Sequence, residues 1–138
     1  AAGKPVIALF ERAPCRDCDE LHREGFTRAE VKALIAAFKV VQLDVVGRRP
    51  LVTPEGQALD ERGWARSLQV LNTPSLVFFD AQGREVFRAE GYLRPFHLAA
   101  ALDYVASGAY RDEPSFQRFV QRRADQLRAA GKSVDLWK

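Results

Sequence analysis

The sequence predicts an α/β fold on three observations. Strand-length apolar runs alternate with stretches of helical periodicity, a C-x-x-C pair follows the first run closely, and a proline-headed hairpin occupies the second half. The 138 residues suffice for one domain, which at this length buries about two thirds of its unfolded surface without metals or multiple disulfides. Hydrophobic residues at 47% and charged residues at 28% exclude disordered, collagen-like and coiled-coil chains.

Residues 4–11, KPVIALFE, carry Val6, Ile7, Leu9 and Phe10 and have the length of a buried central strand. After Arg12-Ala13-Pro14, residues 15–25 combine helix formers, early acids and a terminal glycine, which puts Cys15 at a helix N-terminus. Thr27 and Glu30 have capping-box spacing, with Phe26 and Val31 as a hydrophobic staple, and the helix behind them presents Val31, Leu34, Ile35 and Phe38 on one face. Residues 40–45, VVQLDV, read as another buried strand. Pro54-Glu55-Gly56 is a turn within residues 51–59, which form a small hairpin or ordered loop before a helix over 60–71 with Trp64 and Leu68 inward. Thr73-Pro74 then leads into a strand over 75–80, and Asp80-Ala81-Gln82-Gly83-Arg84 turns it into a partner over 85–89. Pro95 opens a helix with Leu98, Ala101, Leu102 and Val105 on its face, ended by Gly108. The last helix, 115–130, sets Phe116, Phe119, Val120, Ala124 and Leu127 against Arg118, Arg122, Asp125 and Arg128, a solvated basic face, and Trp137 in the tail is expected to dock. There is no internal repeat, low-complexity stretch or linker, so a single domain over 1–138 is expected, and a monomer.

The net charge of +3 is spread along the chain and does not point to nucleic acid. No run approaches the roughly 20 apolar residues of a membrane helix. Met is absent, so the expectation is a chain that starts after leader removal or trimming, for which Ala1-Ala2-Gly3 is a suitable beginning.

Cys15 and Cys18 are too few for a disulfide framework, and their spacing carries the functional question. Half of a zinc site, a small structural disulfide and two incidental thiols are the rivals to redox exchange. Zinc needs four ligands, and only Cys15, Cys18 and His22 are close in sequence, so neither a metal nor another cofactor is expected. A thiol at the first turn of a helix has a lowered pKa, which makes Cys15 the candidate nucleophile and Cys18, one turn further in, the resolving thiol. Arg16 favours a Cys15 thiolate and Asp17 opposes it; exposed, the two nearly cancel. His22 follows Cys18 by four residues on the same helical face, where it either shuttles a proton or makes structural contacts. His97 reads as a surface or packing residue, and Trp64 and Trp137 as packing residues.

A strand, C-x-x-C at a helix start, a second strand, a helix leading to Thr-Pro, a hairpin and a closing helix resemble the thioredoxin-like proteins over residues 4–108. The resemblance implies a central mixed β-sheet flanked by helices, here with a C-terminal helical extension over 109–138. It also implies a cis Pro74 lying against the cysteines and shaping a substrate groove. Thr73 would pair with an extended substrate there, Arg16 and Asp17 between the cysteines would contact it, and Gly91 and Tyr92 would border it, Tyr92 as a substrate-facing aromatic or as a core residue. The stretch NTPSLVFFDAQGREVFRAEGYLRPFHLAAALDYVASGAY, the Leu21-His22 after Cys18 and the extra C-terminal helix resemble the periplasmic SoxW-type thioredoxins of sulfur-oxidation gene clusters. That likeness implies a periplasmic thiol-disulfide oxidoreductase, in solution or tethered. It would receive electrons from a membrane thiol-disulfide donor and keep a partner's cysteine reduced. Two positions depart from the thioredoxin pattern: Pro14 stands where a Trp usually precedes the first cysteine, and Leu9 stands where the buried acid is expected. Glu11, Glu20 and His22 are the candidates to manage the proton in its place. The expected function is thus a reductase of protein disulfides, with a disulfide-donating oxidase or isomerase of the same fold, or a binding module clipped by an inert C-x-x-C, as the alternatives.

Overall fold

VIALFE and SLVFF are apolar on both alternating faces, and strands of that kind require cover on each side. In the computed structural model, which describes residues 3–136, β1 (Val6–Glu11) and β5 (Ser75–Phe79) accordingly hold the middle of a four-stranded mixed sheet. β2 (Lys39–Asp44) pairs parallel to β1, β5 pairs antiparallel to β1, and β6 (Glu85–Glu90) pairs antiparallel to β5, giving the order β2-β1-β5-β6. β3 (Pro50–Val52) and β4 (Ala58–Asp60) form a separate antiparallel hairpin, the one expected around Pro54-Glu55-Gly56.

The period of two along β1 divides the core. Ile7 and Leu9 enter the larger cluster with Leu21, Val31, Leu98 and Leu102, whereas Ala8 and Phe10 enter a smaller one with Leu43, Trp64 and Phe79. The helices supplying this cover are α1 (Arg16–Glu20), continued by a π-helical turn Leu21–Gly25, α2 (Ala29–Ile35), α3 (Glu61–Ser67) and α4 (Pro95–Ala106). A short α5 (Ala109–Asp112), not foreseen from the sequence, precedes α6 (Phe116–Ala129), whose N-cap Ser115 accepts from the Arg118 N–H. Trp137 lies outside the described residues.

Three local expectations are corrected. β2 is an edge strand with Leu43 as its one buried residue, because its outer side meets no strand among the described residues; the Arg49 guanidinium donates to the Gln42 carbonyl and Glu61 accepts from the Asp44 N–H. The Thr27 capping box does not form: the Thr27 hydroxyl donates back to the Arg23 carbonyl, and α2 starts after Arg28. The helix over 60–71 stops at Ser67. Gln69 is left-handed, with φ 57°, while the Gln69 N–H reaches the Arg66 carbonyl and the Val70 N–H that of Ala65. That pair of bonds is a Schellman ending, built here without glycine.

Glu61, with 2% of its side chain exposed, pins the loop between β2 and β3. Its carboxylate accepts from the Asp44 N–H (2.9 Å), the Arg49 N–H (3.2 Å) and the Arg49 guanidinium (2.7 Å). The Arg49 hydrogen bond leads these effects, which outweigh burial and hold the carboxyl at about 2. A folded pKa below the unfolded one stabilises the fold above the unfolded pKa of about 4.3, and the contribution is lost as pH falls toward 2. Urea unfolding across pH is therefore expected to show a shallower acid limb for Glu61→Gln. Glu61→Ala, which orphans the two backbone donors, is expected to cost about 2–3 kcal/mol at neutral pH.

Candidate active site

The site begins where β1 ends. Arg12, Ala13 and Pro14 are exposed and carry the chain from Glu11 to Cys15, with the Ala13–Pro14 peptide cis. Cys15 is the extended N-cap residue of α1, half-buried; Cys18 lies in its first turn with 3% exposure. The two form a disulfide across a Cα separation of 5.2 Å. The Cys18 N–H donates to the Cys15 sulfur at 3.0 Å. A helix-end donor aimed at a sulfur favours the thiolate over the thiol once the bond is reduced. Arg16 and Asp17 are exposed, so solvent weakens whatever they do to that sulfur.

Beside Cys18 opens a cavity of about 350 Å³ lined also by Glu11, Arg12, Asp19, His22, Gln42 and Arg49. Glu11 continues the Ile7–Leu9 face of β1 and is 8% exposed. Its carboxylate is held by the His22 Nε2 at 2.7 Å and by the Gln42 amide, which donates at 2.6 Å. Of the three proton-handling candidates, the fold brings Glu11 and His22 together with Cys18. Glu20 does not line that cavity and pairs with Arg23. The π-helical turn starts at Leu21, immediately before the histidine in this contact, and His22 also meets the edge of Phe26.

A second concavity of about 300 Å³ adjoins the Thr73 loop and is lined by Arg12, Val45, Val70, Leu71, Asn72 and Thr73. The Thr73–Pro74 peptide is cis. Pro74 is buried, and its carbonyl accepts from the Gly91 N–H at 2.8 Å. Gly91, with φ 84°, thus ties the end of β6 to the loop before β5. Tyr92 is half-buried against the larger core cluster, and its phenol pKa is raised by burial first and by Glu20 and Glu24 next. His97 is half-buried with its ring edge-on to Phe96, and burial and Arg94 lower its pKa.

Sequence reasoning missed Gln42, Arg12 and Arg49. Gln42 carried a signal, since an amide in the middle of VVQLD has to find a partner or face water; it sits opposite Leu9 in the β1–β2 register. Arg12 and Arg49 carried none beyond their charge.

With that geometry in place, comparison with known proteins defines the class. The chain belongs to the thioredoxin-like domain family, whose model matches residues 1–106. The thiol:disulfide interchange protein DsbD of Ralstonia nicotianae is 33% identical over 116 residues, 83% of this chain. The match spans only 17% of that relative's length. Among solved structures, a thioredoxin-fold protein from Helicobacter pylori superposes with a TM-score of 0.80 at 16% identity, covering 90% of this chain and 86% of its own. The periplasmic thioredoxin SoxS from Paracoccus pantotrophus gives 0.54 at 19% identity, covering 77% and 99%. These likenesses establish the thioredoxin fold. Among the described residues no helix is long and apolar enough to cross a membrane.

Proposed function

We propose that the chain is a periplasmic reductase of protein disulfides that draws electrons from a membrane-bound thiol-disulfide donor and serves a partner of a sulfur-oxidation system. The observation that carries the reading is the asymmetry of the pair: a half-buried Cys15 whose sulfur receives a helix N–H, and a buried Cys18 facing a carboxylate-lined cavity. The Cys15 thiolate attacks one sulfur of the substrate disulfide, that S–S bond breaks, and the first substrate thiolate leaves. The Cys18 thiol then gives up its proton and attacks the Cys15 sulfur, releasing the second substrate thiolate. Two electrons pass to the substrate, and the Cys15–Cys18 disulfide is reduced again by the donor's dithiol. Pro74 and the Thr73 backbone shape the groove for an extended substrate, with Gly91 and Tyr92 at its border. Residues 4–108 make up the thioredoxin-fold core of one domain that continues through the helices of 109–138. The DsbD relative and the SoxS neighbour support a periplasmic setting. Catalytic reduction of a protein disulfide such as insulin, with a thiol reductant as electron source, tests the activity; a domain no faster than the reductant alone would refute it.

Glu11 is the group we assign to the Cys18 proton, with His22 as its positioning partner. Glu11→Gln keeps the shape and removes the base, so release of the mixed disulfide is expected to slow by about a hundredfold, while alkylation of Cys15 stays within about twofold. An unchanged lifetime of the mixed disulfide would remove Glu11 from the mechanism.

A further inference from the structure

Arg12 stands between the two concavities and lines both, the one that Cys18 faces and the one that Thr73 faces. Among the described residues its guanidinium has no ion pair or hydrogen bond. The acids adjacent in the fold are already engaged: Glu11 by His22 and Gln42, and Asp44 by the Val46 N–H. Asp19 lines only the cavity beside Cys18. Among the described residues Arg12 is the one charged group lining the Thr73 concavity, beside aliphatic Val45, Val70 and Leu71. Leu71 is 84% exposed. The left-handed Gln69 ends α3 early, and Val70 and Leu71 therefore fall on the path to Thr73 instead of on a helix. An unmatched cation next to exposed aliphatic surface is complementary to a carboxylate followed by an aliphatic side chain.

Resting on the reductase reading above, we infer that Arg12 is a specificity-determining residue. It selects partner polypeptides that carry Asp or Glu beside the attacked cysteine, with an aliphatic residue against Leu71. A basic residue at the same place meets like charge and is disfavoured.

The test uses the prereduced, desalted protein in single turnover with short synthetic peptide disulfides that differ only in Asp, Asn or Lys beside the attacked cysteine. Each rate constant is divided by the rate of the same peptide with dithiothreitol, which removes the peptide's intrinsic reactivity. The expected order is Asp, Asn, Lys, with about fivefold between the ends at low salt, narrowing as salt is added. Arg12→Gln is expected to flatten the series and Arg12→Glu to invert it. Comparing ratios within each variant cancels any effect of Arg12 on the Cys15 thiolate. A flat series with the unaltered protein, or the same order in Arg12→Glu, overturns the inference alone. Failure to reduce any of the three peptides overturns the reductase reading together with it.

Discussion

Cys15→Ser is expected to abolish disulfide exchange, lowering turnover by at least about a thousandfold, whereas Cys18→Ser is expected to retain attack and accumulate mixed disulfides with its substrates. The difference follows from geometry. Cys15 is the half-buried N-cap residue whose sulfur takes the Cys18 N–H, and Cys18 is 3% exposed, so one sulfur can reach an external disulfide and the other can reach only its neighbour. Gel analysis under non-reducing conditions checks both variants at once. Adducts on Cys15→Ser in place of Cys18→Ser would reverse the assignment of attacker and resolver.

Removal of residues 113–138 is expected to destabilise the fold strongly and to lower its melting temperature by well over ten degrees, although the family match ends at residue 106. The Tyr104 hydroxyl donates to the Glu113 carbonyl at 2.6 Å, and the Tyr104 ring lies 5.0 Å from that of Phe119. Phe87 of β6 lies 4.8 Å from Phe116. The truncation uncovers these groups and deletes the buried Phe119, Val120 and Ala124. At about 1.5–3 kcal/mol per large buried side chain the loss is about 6 kcal/mol, against about 5–15 kcal/mol for a whole domain. Circular dichroism and thermal unfolding of the truncated chain check this. A sharp transition within a few degrees of the full chain's would make the C-terminal helices a dispensable addition.

β1, β5, α4 and α6 were legible because their patterns are intense: two runs apolar on both faces, and two helices with a proline or a serine at the start. The pattern of β2 could not disclose that it lies at an edge, because VVQLDV reads alike whether or not a neighbouring strand covers it. Thr27 and Glu30 had the spacing of a capping box, yet the preceding helix competed for the Thr27 hydroxyl and won it. At the site, the cysteines, Thr73 and Pro74 stood out by motif. Glu11 and His22 were both visible as candidates, but their contact joins a strand end to a helix eleven positions on, and the two lie side by side only after β1 and α1 have packed. Arg12 was illegible for the opposite reason. Its importance lies in having no partner among the described residues, a property that belongs to the folded surface and not to the residue type.

The measurement closest to the central claim is the reduction potential of the Cys15–Cys18 couple, obtained by equilibrating the protein in dithiothreitol and glutathione buffers. A reductase requires a potential near that of thioredoxin, about −270 mV, so that electrons run from the domain to its partner. A value near −120 mV, that of a strong disulfide donor, would turn the electron flow around and contradict the account.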